Sequence, residues 1–133
     1  MSDNSAMVEH FHDKFGIPRS PRPKVPPLDR RDLRVRLIVE ELEEFAAASA
    51  SGDIVEAADG LADLMYVIFG AALEWGIPLD YVFAEVHRSN MSKLWDGPTG
   101  KEARYRADGK VLKPPSYSQA DVAGVLAGVK DGI

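Results

Sequence analysis

The amino-acid sequence predicts an all-α fold, a four- to five-helix bundle with a loop-rich C-terminal tail. Two observations predict it. Apolar residues recur at helical spacing through three long segments, and Gly or Pro residues close each segment cleanly.

Ala6 to Phe15 can form a short first helix ended by Gly16 and Pro18, and residues 17–28 hold five prolines, which exclude regular structure. Asp29 is placed to cap a second helix that runs to about Ser51, where Gly52 stops it. A third helix is expected from about Asp53 to Trp75, closed by Gly76. The fourth begins near Pro78, a favourable first-turn residue, and reaches about Leu94. Residues 95–116 read as loop, with turn signals at Asp96-Gly97-Pro98 and Asp108-Gly109 and a small hairpin pairing residues 104–106 with 110–112. A short last helix is expected after Ser118, with Asp121 three residues on in a capping-box-like arrangement. The 133 residues, 45% hydrophobic and 28% charged, suit a single domain with its core at about 7–94 and its tail at 95–133.

Composition excludes several function classes. A net charge of −5 gives no electrostatic footprint for a nucleic acid polymer or an anionic membrane, so an anionic substrate needs a local cation, either metal or Lys/Arg. With no cysteine, disulfides, thiolate metal sites and cysteine nucleophiles are excluded. The first 14 residues lack the pattern of a signal or transit peptide, and Asp63 and Glu74 interrupt the best candidate for a membrane span. The expected compartment is the cytoplasm.

Asp63 stands inside the apolar run Leu61 to Leu73, where a carboxylate must be paired, protonated or metal-bound. About twenty residues upstream lies Glu40-Glu41-Leu42-Glu43-Glu44. At helical periodicity Glu41 and Glu44 share a face with Leu37, Ile38 and Phe45; Glu40 lies at its edge and Glu43 points away. On the third helix Glu56, Asp59, Asp63, Tyr66 and Gly70 line up as one acidic stripe on an otherwise apolar cylinder. Inward carboxylates on two facing helices form an oxygen-rich cage suited to Mg2+, with Mn2+ as a substitute. On the fourth helix Leu79, Val82, Phe83, Val86, Asn90, Lys93 and Leu94 define the inward side, which would bring an amide and an ammonium near the acids.

Each feature has a plainer explanation. An acidic run alone is a solvated helix face, and Asn90 and Lys93 could merely cap or pair with the carboxylates. His10 and His12, two residues apart, are not a same-face helical pair, so zinc is not expected, and His87 beside Arg88 suits a helix surface. Lys101, Arg104, Arg106, Lys110 and Lys113 form either a solvated loop or a segment folded over an anionic ligand. Trp75 and Trp95 are expected as core or interface anchors.

Three blocks in order carry a family resemblance: Glu40-Glu41-x-x-Glu44; Asp59-Gly60-Leu61-Ala62-Asp63-Leu64-Met65-Tyr66-Val67; and Val82 to Lys93, ending Ser89-Asn90-Met91-Ser92-Lys93. Over about residues 7–126 the chain resembles the all-α nucleoside triphosphate pyrophosphohydrolases, and looks closest to their MazG-related, phosphoribosyl-ATP pyrophosphohydrolase-like branch. The resemblance implies Mg2+ ligands at Glu40, Glu41 and Glu44, the family's first acidic motif. The second motif, Glu-x-x-Asp, is where the sequence departs. With Asp63 as its Asp, the Glu position falls on Gly60, and Asp59, one turn from Asp63, is the expected replacement; Glu56-x-x-Asp59 is the competing register. The Asn-x-x-Lys of the family matches Asn90 and Lys93.

What the resemblance implies chemically is hydrolysis of the α–β phosphoanhydride of a nucleotide, such as dUTP or phosphoribosyl-ATP, to a monophosphate and pyrophosphate. That reaction needs charge neutralisation on non-bridging oxygens, an activated water and in-line positioning. Glu41, Glu44, Asp59 and Asp63 would hold metal, Glu40 would take the proton from water, and Tyr66, Asn90, Lys93, Arg106 and Lys113 would contact substrate. Two alternatives stay open: a Mg-nucleotide binding module without turnover, and a structural helical dimer whose acids pair with Lys93 and Arg36. A helix apolar on nearly every side cannot bury itself in one small subunit, so a homodimer or homotetramer is expected.

Overall fold

The computed structural model describes residues 2–129, in which five helices and one isolated β-bridge occur. These residues form two compact units, 2–78 and 79–129.

The first unit holds α1 (Asp3–Phe15), α2 (Leu28–Ser51) and α3 (Ile54–Trp75). α1 starts three residues before the expected Ala6, because Ser2 Oγ accepts the Ser5 N–H at 3.2 Å and satisfies a first-turn donor. Asp29 is not the cap of α2. Pro27 holds that position without a side-chain bond, its carbonyl accepting the Arg31 N–H at 3.0 Å, and Asp29 lies in the first turn, where its charge complements the helix dipole. At the start of α3, Asp53 accepts the Val55 and Glu56 N–H groups, each at 3.1 Å. Only Gly52 and Asp53 separate α2 from α3, so the helices fold back antiparallel: Phe45 lies against Gly60, and Arg34 reaches over Gly70.

The proline-rich segment is irregular, as expected, yet tied down. Ser20 and Lys24 donate backbone N–H groups to the carbonyls of Leu73 and Trp75, both at 2.9 Å, which satisfies the C-terminal end of α3. Gly76 is required there twice over: its φ is 63°, and a Cβ would fall 1.9 Å from the Arg22 carbonyl oxygen. Among the described residues few apolar side chains are buried, Val8, Ala48 and Ala72 among them, whereas Val35, Leu42, Leu61 and Met65 are 47 to 60% exposed. No single described helix is long and apolar enough to cross a membrane.

The second unit holds α4 (Leu79–Met91) and α5 (Val122–Ala127). α4 stops short of the expected Leu94, its end closing through 3₁₀-type bonds from Lys93 N–H to the Asn90 carbonyl and from Leu94 N–H to the Met91 carbonyl. Its expected inward face is also corrected: Phe83 is 73% exposed and Asn90 is exposed, while Ser89 is buried and donates to Tyr117 Oη at 3.2 Å. The reason is that residues 117–121 dock on the other side of α4. Arg88 donates to Ser118 Oγ and to the Gln119 carbonyl, and Glu85 accepts both Arg88 and the Asp121 N–H, which hold its carboxyl down at about 2. Ser118 is thereby used in docking, and Asp121 caps α5 by accepting the Gly124 N–H at 2.9 Å. The expected hairpin exists as a Tyr105–Val111 bridge flanked by Arg106 N–H to Lys110 and Leu112 N–H to Arg104, at 2.8 and 2.7 Å.

Candidate functional site

α2 and α3 bring three of the expected acids together. Glu41, Glu44 and Asp63 can each place one carboxylate oxygen so that all three lie within 4.8 Å of one another. Glu41 and Asp63 are half-buried; Glu44 is exposed, so its side chain reaches the group from the helix surface. Glu41 Oε2 is shut off from solvent and has no hydrogen-bond partner. Burial raises the Glu41 carboxyl above its ordinary range, and the charges of Glu44 and Asp63 push it the same way. An orphaned, shielded carboxylate oxygen inside an all-oxygen donor set fits a hard divalent cation.

The other acids stand differently. Asp59, Glu56 and Glu40 are exposed, and none belongs to the three-carboxylate group. Gly60, where the Glu-x-x-Asp motif would carry its Glu, is buried against α2: a Cβ there would lie 3.2 Å from Phe45 Cα and 3.3 Å from Phe45 Cβ.

Tyr66, one turn beyond Asp63, packs edge-on to Phe11 with ring centroids 5.5 Å apart and lines an open cleft of about 370 Å³ bordered by α1, α2, α3 and Ile17. Polar groups unforeseen from the sequence sit at this end of the seam. Glu74, its side chain 1% exposed, accepts Arg34 Nε at 2.7 Å and Arg30 Nε at 3.0 Å, with a second bond from Arg30 Nη2. Burial pulls its carboxyl upward, yet the Arg30 and Arg34 bonds together hold it below the usual range. His12 is fully buried, its Nδ1 3.1 Å from the Pro18 carbonyl oxygen, and burial lowers its imidazolium below the ordinary value. Arg36, the pairing cation of the structural-dimer alternative, is exposed, and Arg34 is a buried arginine. One signal could have found Glu74: it interrupts the same apolar helix as Asp63.

In the second unit, Asn90, Arg106 and Lys113 are exposed and Lys93 is half-buried. Arg106 pairs with Asp108, its Nε 3.0 Å from Oδ1, and Lys113 Nζ lies 4.7 Å from the Tyr117 ring centroid. Arg104 stacks over Trp95 at 4.0 Å.

A family model described as phosphoribosyl-ATP pyrophosphohydrolase matches residues 8–90, a span that includes all of α2 and α3 and nearly all of α4. No curated protein matches the chain.

Proposed function

The chain belongs to the phosphoribosyl-ATP pyrophosphohydrolase family, a family of nucleotide pyrophosphohydrolases, and from that membership and the carboxylate geometry we propose Mg2+-dependent cleavage of a nucleotide α–β phosphoanhydride. Water adds across the bridging P–O–P bond, giving a monophosphate and pyrophosphate and releasing a proton. The observation that carries this reading is the convergence of Glu41, Glu44 and Asp63 with Glu41 Oε2 left unpartnered.

Glu41, Glu44 and Asp63 hold the cation, which supplies positive charge against the non-bridging phosphate oxygens. Glu40, exposed one residue before Glu41, is free to take the proton of the attacking water, with Asp59 as an auxiliary ligand. Tyr66, one turn from Asp63 on α3, lines the neighbouring cavity and would contact the substrate. Roles for Asn90 and Lys93 in gripping the phosphates follow from the Asn-x-x-Lys motif, and those for Arg106 and Lys113 from the basic tail that can fold over an anionic ligand. The exposed apolar side chains of α2 and α3, Val35, Leu42, Leu61 and Met65 among them, support a homodimer or homotetramer, which light scattering checks.

The test is a panel of nucleotides, phosphoribosyl-ATP and dUTP included, incubated with Mg2+ and scored by chromatography for monophosphate and pyrophosphate. An Asp63→Asn protein that kept the wild-type rate would overturn the assignment. A second reading, nucleotide binding without turnover, is favoured by one observation, the Gly60 that replaces a motif carboxylate; binding with no product in the same panel would establish it.

A further inference from the structure

The match to the family ends at residue 90, inside the last turn of α4, so residues 91–129 take no assignment from it. Asn90 and Lys93 straddle that boundary. The last carbonyls of a helix lack intrahelical donors, and such ends fray unless other groups satisfy them. At the end of α4 the Ser89 carbonyl accepts the Ser92 N–H at 3.1 Å and the Ser92 hydroxyl at 2.6 Å, and the Lys93 N–H bonds to the Asn90 carbonyl at 3.1 Å. Residues 89–94 thus close into a turn.

A second segment of the same unit clamps that turn. Glu85, Arg88, Ser89 and Ser92 recur at intervals of three and four, and so share one side of α4 and its closing turn. Each is tied to residues 117–121. Glu85 accepts the Asp121 N–H at 2.6 Å, and Arg88 donates to Ser118 Oγ and to the Gln119 carbonyl, both at 3.1 Å. The buried Ser89 hydroxyl donates to Tyr117 Oη at 3.2 Å, and Ser92 Oγ accepts the Ser118 N–H at 2.8 Å. Asn90 follows Ser89 and Lys93 follows Ser92, each turned by about 100° from the clamped side. Neither of their side chains has a hydrogen bond or ion pair among the described residues. An amide and an ammonium without protein partners, on a turn held at four points, offer ordered N–H donors to an anion.

Resting on the nucleotide hydrolysis proposed above, we propose that residues 117–121 are a positioning element for the phosphate grip. Tyr117 and Ser118 hold residues 89–94 in place, so that Asn90 and above all Lys93 meet the anionic substrate already ordered. A cation on a frayed turn loses its conformational freedom when the substrate binds, whereas one on a clamped turn has lost it on folding. The clamp therefore acts on affinity, through Lys93, and leaves the chemical step alone.

The experiment is a double-mutant cycle on the full chain, read by calorimetric titration of inorganic pyrophosphate in Mg2+. Lys93→Gln should weaken pyrophosphate binding by about tenfold or more, the loss of a charge-assisted contact. Ser92→Ala and Tyr117→Phe, which each remove one tie, should weaken it by about threefold, and Ser92→Thr, which keeps the hydroxyl, should restore it. In the Lys93→Gln background Ser92→Ala should change the Kd by less than about twofold, because the group it positions is gone. Turnover, where measured, should show KM raised by Ser92→Ala with kcat unchanged. Wild-type protein that does not bind pyrophosphate, or Lys93→Gln protein that binds it as the wild type does, overturns the inference. So does an unchanged Kd in both Ser92→Ala and Tyr117→Phe, or a Ser92→Ala effect that persists in full beside Lys93→Gln, the result of a merely structural role. If no nucleotide releases pyrophosphate, only the hydrolytic assignment fails, and the binding cycle still decides the clamp. If Tyr117→Phe does not fold, Ser92→Ala and Ser92→Thr decide it.

Discussion

Replacing Glu41 by Gln should stabilise the metal-free protein and remove its response to Mg2+, two effects of opposite sign from one isosteric change. Without a cation, Glu41 stands among like charges: oxygens of Glu44 and Asp63 lie within 4.8 Å of its own. At that separation two unit charges repel by about 1 kcal/mol in bulk water and about 3.5 kcal/mol at an effective dielectric of about 20. Glu44 is exposed, so the lower end applies, and relief of about 1–2 kcal/mol corresponds to a melting temperature higher by about 3–8 °C for a chain of this size. With Mg2+ the order reverses. A cation at a hundredfold its Kd stabilises the wild type by about 2.7 kcal/mol, whereas a site reduced to two carboxylates gains little. Differential scanning fluorimetry at neutral pH, with EDTA and then with a Mg2+ titration, reads both effects. A Glu41→Gln protein that melts below the wild type in EDTA, alongside a wild type indifferent to Mg2+, would falsify the electrostatic account of the site.

Glu74→Gln should cost about 3–5 kcal/mol in urea unfolding, because it leaves the buried Arg34 guanidinium without a counter-charge. Gly76→Ala should cost about 2 kcal/mol or more by the same assay, since the residue has positive φ and a Cβ would strike the Arg22 carbonyl. His12 titrates below 6.5 when folded, so the unfolded chain binds the extra proton. Stability is therefore full above pH 6.5 and falls as pH drops below it, and His12→Gln should flatten that limb. Glu74, held below 4.5, adds a second loss that begins only as pH falls through 4.5. Gly60→Ala, which changes no charge, should weaken Mg2+ binding by about tenfold in the thermal titration, and an unchanged Kd would separate helix spacing from metal affinity.

Helix identity was legible because every break carries a steric or hydrogen-bonding cause written in one or two residues: Gly16, Gly52 and Gly76 are all left-handed C-caps, and Asp53 is a true N-cap. The ends that misled were those decided at a distance. Asp29 looked like a cap, but Pro27 already fixed the start of α2, and Ser118 was drawn to Arg88 on α4 and to Ser92 just beyond it, so Asp121 became the cap of α5. Periodicity placed Glu41 and Asp63 correctly, since seven- and eleven-residue intervals on paired helices keep one face. It could not place Asp59, because a residue one position off the seam turns by about 100° into solvent. The His12, Arg34 and Glu74 cluster escaped because its members come from three helices and no two are close in sequence, although Glu74 repeats the signal that drew attention to Asp63.

Gly60 joins the departure from the family motif to the geometry of the carboxylates. A side chain at this position would press on the Phe45 backbone, which cannot swing aside as the tip of a long side chain could. A glutamate there would need α2 and α3 to separate at a point one turn from Asp63 and four residues from Glu41 along the facing helix. Separation at that point would move Asp63 away from Glu41 and Glu44, whose carboxylate oxygens come within 4.8 Å of one another across the seam. In the register that puts the motif Glu at Gly60, the missing carboxylate and the close approach of α2 to α3 at Phe45 are expected to go together, and Gly60→Ala is the change that tests the link.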